Sequence, residues 1–281
     1  MKWVLKALKY LFSVVLVGGL AAYLWFWALP VGLNNYVNKV SIQMVLDSPE
    51  MITSLGLVDN TVLDFHSDKL DSYTAESEDQ ALAFLREARE GLDDYGPEGL
   101  EGQELLSWKI TAWFFDNILR SAEHKYSGYR VNQISGVMVN MPQFLTDQHR
   151  IANEQAAVNY LARLKEFGRV IDEVKVRVLD DRDNGVVAPD FILDKALVGM
   201  RPFSDNPVAN NPLVTSLQSS LDKLDDIDAE RKAELVADAT ALVAEEIIPG
   251  YQDMISLFEE LQLSANHDAG IWRLPNGQKI Y

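Results

Sequence analysis

The stretch YLFSVVLVGGLAAYLWFWAL, residues 10–29, is uniformly apolar and contains no charged side chain. At a rise of about 1.5 Å per residue, a helix of this length spans about 30 Å, the thickness of the hydrocarbon core of a bilayer. In lipid, a lone segment satisfies its backbone hydrogen bonds only as a helix. The stretch therefore predicts a single transmembrane helix, with the lipid bilayer as its partner.

The charges around this stretch predict its orientation. Three lysines precede it, at Lys2, Lys6 and Lys9. The first acidic residue of the chain is Asp47. Because positive charge is retained on the cytoplasmic side, we expect a cytoplasmic N-terminus and a main domain outside the membrane, in the periplasm or beyond the cell.

Two other interpretations of residues 10–29 compete with a signal anchor. A cleaved signal peptide has a shorter apolar core, about 7–15 residues, and small residues at its cleavage site. Here Leu20 and Phe26 occupy positions where that site requires a small side chain. A core helix of a globular domain is disfavoured because the run is apolar on all faces and follows a basic segment. The sequence favours an uncleaved anchor.

Composition excludes several classes of function. The chain has 42 acidic residues against 25 Lys and Arg, a net charge of −17, so it repels phosphate backbones and nucleic acid is excluded as a partner. Acidity alone does not identify a substrate, since it also serves solubility. There is no cysteine. This sequence therefore offers no disulfide, no thiolate metal ligand, no cysteine nucleophile and no lipid-modified cysteine.

Apolar residues recur at helical spacing through most of the chain beyond residue 47. Pro49 behind Ser48 is typical of a helix start, and Gly56 of its end. The segment SEDQ, residues 77–80, fits a capping box. Together these patterns predict an all-α protein.

Later segments predict further helices. Residues 105–122 are apolar on most faces and should be central to the core, with Trp113 and Phe114 buried. Another helix is predicted from Pro142 to about Phe167, with Gly168 as a kink or a break.

Turn residues near the C-terminus, at positions 275–277, predict a hairpin or an extended tail. We divide the chain into a basic tip and anchor (1–30), a juxtamembrane lead (31–47) and a large multi-helix extracytoplasmic domain (48–281).

Local motifs of catalysis and metal binding are absent from the sequence. None of the histidines, His66, His124, His149 and His267, begins H-E-x-x-H, and there is no G-x-S-x-G or phosphate-binding loop. The segment DDRDNG, residues 180–185, is out of register with an EF-hand and is interpreted as a charged helix end. The residues alone predict no catalytic, cofactor-binding or metal-ligating group.

Eight local motifs from residue 48 onward carry a family resemblance. They are SPEMITSLGL (48–57), RVNQISG (130–136), PQFLTDQH (142–149), NYLARL (159–164), APDFILDKAL (188–197), NNPLVTSL (210–217), IIPGY (247–251) and GIWRLPNGQKIY (270–281). With these motifs the chain resembles the N-terminal half of the bacterial family known as domain of unknown function 885. The resemblance implies an exported, all-helical protein, similar to zinc metallopeptidases with a deep cleft.

The resemblance also implies where the chemistry lies. The family's zinc motif, H-E-x-x-x-H, belongs to the half that would follow residue 281. Zinc is therefore expected only in that half, with no cofactor in this chain and no peptidase activity from this chain alone. A C-terminal half or a second chain is then an expected partner, and a peptide an expected substrate.

Four residues in or near the shared motifs are candidates for a substrate cleft: Asn132, Gln133, His149 and Arg163. Each also has a structural interpretation. Asn132 and Gln133 are typical of helix caps and turns. His149 fits a helix face, and Arg163 fits an ion pair with one of many acids.

Two functions remain open from the sequence. The first is the membrane-anchored N-terminal portion of a zinc-dependent peptidase-like protein, inactive alone. The alternative is a non-catalytic, membrane-tethered binding or scaffold protein of the bacterial envelope.

Overall fold

All regular secondary structure in the described part of the chain is helical. The structure, a computed structural model, describes residues 2–275 and 277–280, except for the side chains at positions 2, 4, 5, 7, 8, 11, 22 and 280. The absence of strands from these residues confirms the all-α fold class. The α-helices are α1 (Lys2–Tyr23), α2 (Leu33–Leu46), α3 (Pro49–Leu55), α4 (Ala75–Asp93), α5 (Gly102–Ala122), α6 (Val137–Gln143), α7 (Glu154–Asp183), α8 (Asp190–Asp205), α9 (Pro212–Leu221), α10 (Ala229–Leu242), α11 (Ile248–Gln262) and α12 (Gly277–Ile280).

Residues 10–29 do not form one regular α-helix. The α-helix ends at Tyr23, and Leu24–Ala28 continues as a π-helical turn. Within the described chain, no helix taken alone has the length and apolarity to cross a bilayer. The segments Phe12–Ala28 and Leu33–Leu46, bent by 84°, pass by length and composition only when taken together. The single transmembrane helix predicted from sequence is therefore not confirmed.

The contacts divide the chain into two compact units. The first comprises Met1–Asp47 and Gln80–Glu123, and the second comprises Ser48–Asp79 and His124–Tyr281. The division predicted from sequence, at residues 30 and 47, stays a prediction.

Two tyrosines organise the first unit. The Tyr36 hydroxyl donates to the Ala88 carbonyl at 2.6 Å, and the Tyr95 hydroxyl donates to the Pro30 carbonyl at 2.5 Å. Their ring centroids lie 5.0 Å apart. Gly91 makes this approach possible, because a Cβ there would lie 2.4 Å from the Tyr36 hydroxyl. The buried side chains around them are Leu33, Val40, Leu85, Ala88, Leu92, Ala112 and Phe115.

The prediction that α5 is buried on most faces is wrong. Trp113 is 67% exposed and Phe114 is 45% exposed. Among the α5 residues, burial is confined to Ala112 and Phe115. A helix packed on one side buries only one stripe of residues, so the remaining apolar side chains of α5 face outward.

The second unit is built around α7, which runs uninterrupted for 30 residues. Gly168 lies inside it and does not break it. Instead, Gly168 allows Glu246 to approach, since a Cβ there would lie 3.2 Å from the Glu246 Cβ. Gly250 does the same on the facing segment, because its Cβ would lie 3.0 Å from Ile171 Cγ2. The two glycines let α7 and the α10–α11 segment pack closely.

The facing segment contains its own irregularity. A π-helical turn at Val243–Ile247 joins α10 to α11, and Pro249 follows it in the first turn of α11. Proline has no backbone N–H to donate, so it is tolerated at this position.

The structure agrees with some of the helix starts and ends predicted from the sequence and differs from others. Ser48 caps α3 by accepting from the Met51 N–H at 3.0 Å, and Gly56 ends it in the left-handed conformation, which confirms that element. The capping box is wrong by one turn. Thr74, whose hydroxyl accepts from the Ser77 N–H at 3.1 Å, precedes α4.

Two further predictions are corrected. Pro142 lies inside α6 and does not open a long helix, because the chain breaks between His149 and α7. The predicted hairpin or extended tail is replaced by the 3₁₀ turn Ile271–Arg273 and by α12. Asn276, in the predicted turn, and Tyr281 lie outside the described residues.

We expect Gly250→Val to lower the free energy of unfolding by about 1–3 kcal/mol, since the new side chain overlaps Ile171. The matched control is Gly199→Val, because nothing lies within 4 Å of its Cβ position. The control should change stability by less than about 0.5 kcal/mol. Urea unfolding of the full chain in detergent, followed by circular dichroism, measures both. Equal stability of the two variants would contradict this packing.

Candidate functional site

Arg163 lies on α7 at the centre of a buried polar cluster, and its exposure is 0%. Its Nη2 donates to the Thr53 hydroxyl at 2.7 Å, and its Nε donates to the Lys69 carbonyl at 2.9 Å. The Nη2 also reaches the His66 carbonyl at 3.3 Å. The Phe144 ring lies 5.0 Å from the guanidinium carbon. The guanidinium is thus enclosed by protein groups.

His149 is the fourth polar partner of Arg163. Its Nδ1 accepts from Arg163 Nη1 at 2.8 Å, and its Nε2 donates to the Ala156 carbonyl at 3.0 Å. This pairing requires the neutral ring with the proton on Nε2. Burial, and then the charge of Arg163, lower the pKa of His149 to about 4. The ring is therefore a neutral acceptor at physiological pH.

Acidic side chains compensate the buried positive charge at longer range. Burial lowers the pKa of Arg163 to about 10, while Glu50, Asp59 and Asp64 act to raise it. The guanidinium therefore remains charged at neutral pH. His66 lies between two of these acids, with Nε2 2.9 Å from Asp59 and Nδ1 3.3 Å from Asp64.

The cluster joins separate segments of the second unit. Thr53 belongs to α3, and His66 and Lys69 belong to the loop before α4. His149 belongs to the segment between α6 and α7. All of them bond to one side chain of α7, so Arg163 acts as a clamp on these segments. Among the described residues Arg163 bonds to neutral groups, so the ion pair with an acid that the sequence suggested for Arg163 is not seen there.

Asn132 and Gln133 lie apart from this cluster, in a tight loop before α6. The Asn132 side-chain oxygen accepts from the backbone N–H groups of Ile134 and Ser135 at 2.8 and 2.9 Å. Gly136 closes the loop with a φ of +105°, and a Cβ there would lie 2.5 Å from the Arg130 carbonyl. Asn132 thus bridges a turn. Gln133 leaves its buried Oε1 without a hydrogen-bond partner among the described residues.

Two adjoining hollows of the second unit form an open groove. The larger has a volume of about 520 Å³ and is lined by Ser48, Glu50, Met51, Ser54, Asp71, Tyr73, Asn140, Met141, Gln143, Phe144 and Gln148. The smaller has a volume of about 240 Å³ and is lined by Tyr73, Arg130, Gly136, Val137, Asn140, Val174 and Arg177. Because Tyr73 and Asn140 line both, we treat the hollows as one groove.

Acidic groups line the larger hollow. The Tyr73 hydroxyl donates to Glu50 at 3.0 Å, and the Ser48 hydroxyl donates to Asp71 at 2.6 Å. Burial, and then the nearby Asp71 carboxylate, raise the pKa of Glu50.

Arginines line the smaller hollow. Arg130 Nε lies 3.0 Å from Asp181, and the buried Arg177 pairs with Glu78. Burial raises the pKa of Asp181 although Arg130 opposes the shift. The groove thus has groups of both charge signs, with the exposed amide of Asn140 between them.

The groove residues were not predicted from sequence. Glu50 and Arg130 lie in the shared motifs 48–57 and 130–136, and this location was the signal in the sequence that could have identified them. Arg177 lies far along the chain from both residues, so no periodic pattern in the sequence relates it to them.

The described residues do not fit a zinc site. They contain no group of three or more His, Asp or Glu side chains placed to hold a metal ion. His66 and His149 are both engaged with protein groups. We therefore derive no reaction step through a metal in this chain.

Fold and site together define an all-helical protein with a buried arginine clamp beside an open groove. The family model described as "Bacterial protein of unknown function (DUF885)" matches residues 49–281, so the chain belongs to this family. No curated protein matches it.

A crystal structure of the "putative lipoprotein from Colwellia psychrerythraea" shares the fold, with a TM-score of 0.68 and 19% identity. The similarity covers 88% of this chain and 45% of that chain. The matched part of this chain therefore covers less than half of the Colwellia protein.

We expect Arg163→Met to lower the free energy of unfolding by about 3 kcal/mol or more, because buried carbonyls and His149 lose their donor. The matched control is Arg201→Met, which removes a half-exposed ion pair with Glu259 and should cost less than about 1 kcal/mol. Urea unfolding in detergent compares the two. Similar losses would show that Arg163 is not a clamp.

The lowered pKa of His149 predicts a pH-dependent contribution to stability. Between pH 6.5 and about 4 the unfolded chain binds a proton that the folded chain excludes. The contribution of His149 to the free energy of unfolding is therefore fully present above pH 6.5 and is lost as the pH falls toward 4.

Comparing His149→Gln with the unsubstituted chain at several pH values isolates this slope, because the other titrating groups are shared. We expect the difference in unfolding free energy to shrink by about 3 kcal/mol from pH 7 to pH 4. A difference independent of pH would contradict the assignment.

Proposed function

We propose that this chain is the membrane-anchored N-terminal portion of a zinc-peptidase-like envelope protein. In this proposal its groove binds an extended peptide, and the chain has no hydrolytic activity by itself. The groove is the observation that carries the proposal. The implied site of action is the outer side of a bacterial cell membrane.

The shape and chemistry of the groove support a peptide. The two hollows, joined at Tyr73 and Asn140, suit an elongated ligand better than a compact one. The Asn140 amide offers both a donor and an acceptor, as a peptide group requires. Glu50 and Arg130 add opposite charges to different hollows. Membership of the family supports a peptide ligand only because the family resembles peptidases.

Residues 10–29 support the anchoring. They are apolar, and the side chains of Phe12, Val14 and Trp25 are more than half exposed in the structure. The segment and α2 together satisfy the length and composition of a bent span. The lipoprotein description of the Colwellia protein agrees with a membrane location, although this sequence has no cysteine to carry a lipid.

The peptide test uses fluorescein-labelled hexaalanine and the full chain in detergent, with binding followed by fluorescence anisotropy. Asn140→Trp fills the point where the hollows join and should weaken binding at least about tenfold. Gln252→Trp adds the same bulk at an exposed position of α11 and should leave binding unchanged. Equal binding of the peptide by both variants would show that the groove is not the peptide site.

The absence of hydrolysis needs a separate assay. The full chain, incubated with peptides and added zinc, should show no chelator-sensitive cleavage. Robust turnover that a chelator abolishes would contradict this part of the proposal while leaving peptide binding intact.

The alternative function is a non-catalytic, membrane-tethered scaffold of the envelope. One observation favours it, since the His149 ring and the Arg163 guanidinium, two of the predicted cleft groups, bond to protein partners. A second chain or a C-terminal half would then be the partner. No binding of hexaalanine, together with a stable stoichiometric complex with another chain in native membranes, would support the scaffold over the peptide site.

A further inference from the structure

The outer face of α5 is apolar and exposed. It carries four large side chains, which we call the α5 face: Leu106 (49% exposed), Ile110 (56%), Trp113 (67%) and Phe114 (45%). Their spacing of four, three and one residues places them on one side of the helix. The opposite side holds Ala112 and Phe115, which pack into the first unit. About half or more of each side chain of the α5 face is thus left uncovered by the described chain.

Basic residues adjoin the α5 face in an otherwise acidic protein. Lys109 precedes Trp113 by one turn, Arg120 follows it by two turns, and both are exposed. The acid Asp116 of the same helix lies 2.8 Å from Arg89, which also pairs with Asp93 at 2.6 Å. Two exposed positive charges therefore lie beside the α5 face, although the chain as a whole has a net charge of −17.

The α5 face also belongs to the unit that contains the apolar N-terminal segment. α5 packs against α2, which follows that segment directly. The loop between α4 and α5 is tied to the end of the segment, because the Tyr95 hydroxyl bonds to the Pro30 carbonyl. The 84° bend between Phe12–Ala28 and Leu33–Leu46 turns α2 away from the direction of the segment. If the segment crosses the bilayer, α2 runs close to the membrane plane.

We propose that the α5 face rests on the anionic lipid surface of the bilayer that holds residues 10–29. This inference depends on the anchoring proposed above. An amphipathic helix with aromatic and aliphatic residues on one face and flanking bases lies in the headgroup region, with its apolar side about 5–10 Å deep. The bases attract anionic headgroups, which an acidic protein would otherwise repel.

The absence of cysteine makes site-specific labelling direct. Ile110→Cys, labelled with a nitrobenzoxadiazole fluorophore, reports from the α5 face in the full chain. Glu104→Cys is the control, since it is exposed on the same helix but lies about 120° around it. Both are reconstituted into vesicles of phosphatidylethanolamine and phosphatidylglycerol that carry a nitroxide on the lipid near the carbonyl. The label at 110 should be quenched about threefold more than the label at 104.

A third label separates this inference from the anchoring. Val14→Cys lies in the apolar segment and should be quenched by a nitroxide deep in the acyl chain. Quenching at 14 with equal, weak quenching at 110 and 104 would overturn the α5 contact and leave the anchor. No quenching at 14 would overturn the anchor and, with it, the inference.

Charge reversal tests the role of the bases. Lys109→Glu with Arg120→Glu should halve the quenching at position 110 in anionic vesicles. The control, Lys165→Glu with Lys223→Glu, makes the same charge change at exposed sites of the second unit and should have no effect. Equal loss of quenching in the two double variants would show that overall charge is responsible and would overturn a specific contact of the α5 face. A label at 110 shielded from water in native membranes, but not quenched by lipid, would show a protein partner instead.

Discussion

The complete burial of the Arg163 guanidinium is the constraint on which the second unit depends. Transferring a charged group out of water is costly unless its hydrogen bonds are replaced and its charge is compensated. Here Thr53, His149 and two backbone carbonyls replace the bonds. Carboxylates that act at longer range, such as Asp59 and Asp64, compensate the charge. A cluster with only some of its hydrogen bonds formed would be less stable than an apolar core. The segments that bond to Arg163 must therefore assemble together.

This requirement also accounts for the chemical state of His149. A ring that accepts from a guanidinium on one nitrogen and donates to a carbonyl with the other is stable only when neutral. The same bonds that complete the clamp therefore remove His149 from acid–base chemistry near neutral pH. They also fix α3 and the segment before α7, which supply Glu50 and Phe144 to the wall of the groove. The clamp is buried, whereas the groove it supports is open.

Helix packing imposes a second constraint, and glycine meets it. α7 and the α10–α11 segment approach closely where Gly168 faces Glu246 and where Gly250 faces Ile171. In the first unit, Gly91 makes room for the Tyr36 hydroxyl in the same way. Each glycine sits in a helix, where it costs up to about 1 kcal/mol relative to alanine. A larger residue at any of the three positions would meet the facing side chain at once.

What the sequence by itself determined was local. The helical period defined the all-α class, and Ser48 with Gly56 defined the ends of α3, because caps depend on a few neighbouring residues. The motifs indicated the family, which the match over residues 49–281 established. His149 and Arg163 were two of the four residues selected from the sequence as cleft candidates, but nothing in the sequence indicated that they are in contact.

Only the tertiary structure decided which surfaces meet. Two partners of Arg163, Lys69 and Thr53, lie 94 and 110 residues earlier in the chain, a separation that no periodic pattern records. The same reason explains the error on α5. Apolar composition shows that a helix can bury a face, but not which face finds a partner, and Trp113 and Phe114 remain exposed because the first unit packs against Ala112 and Phe115.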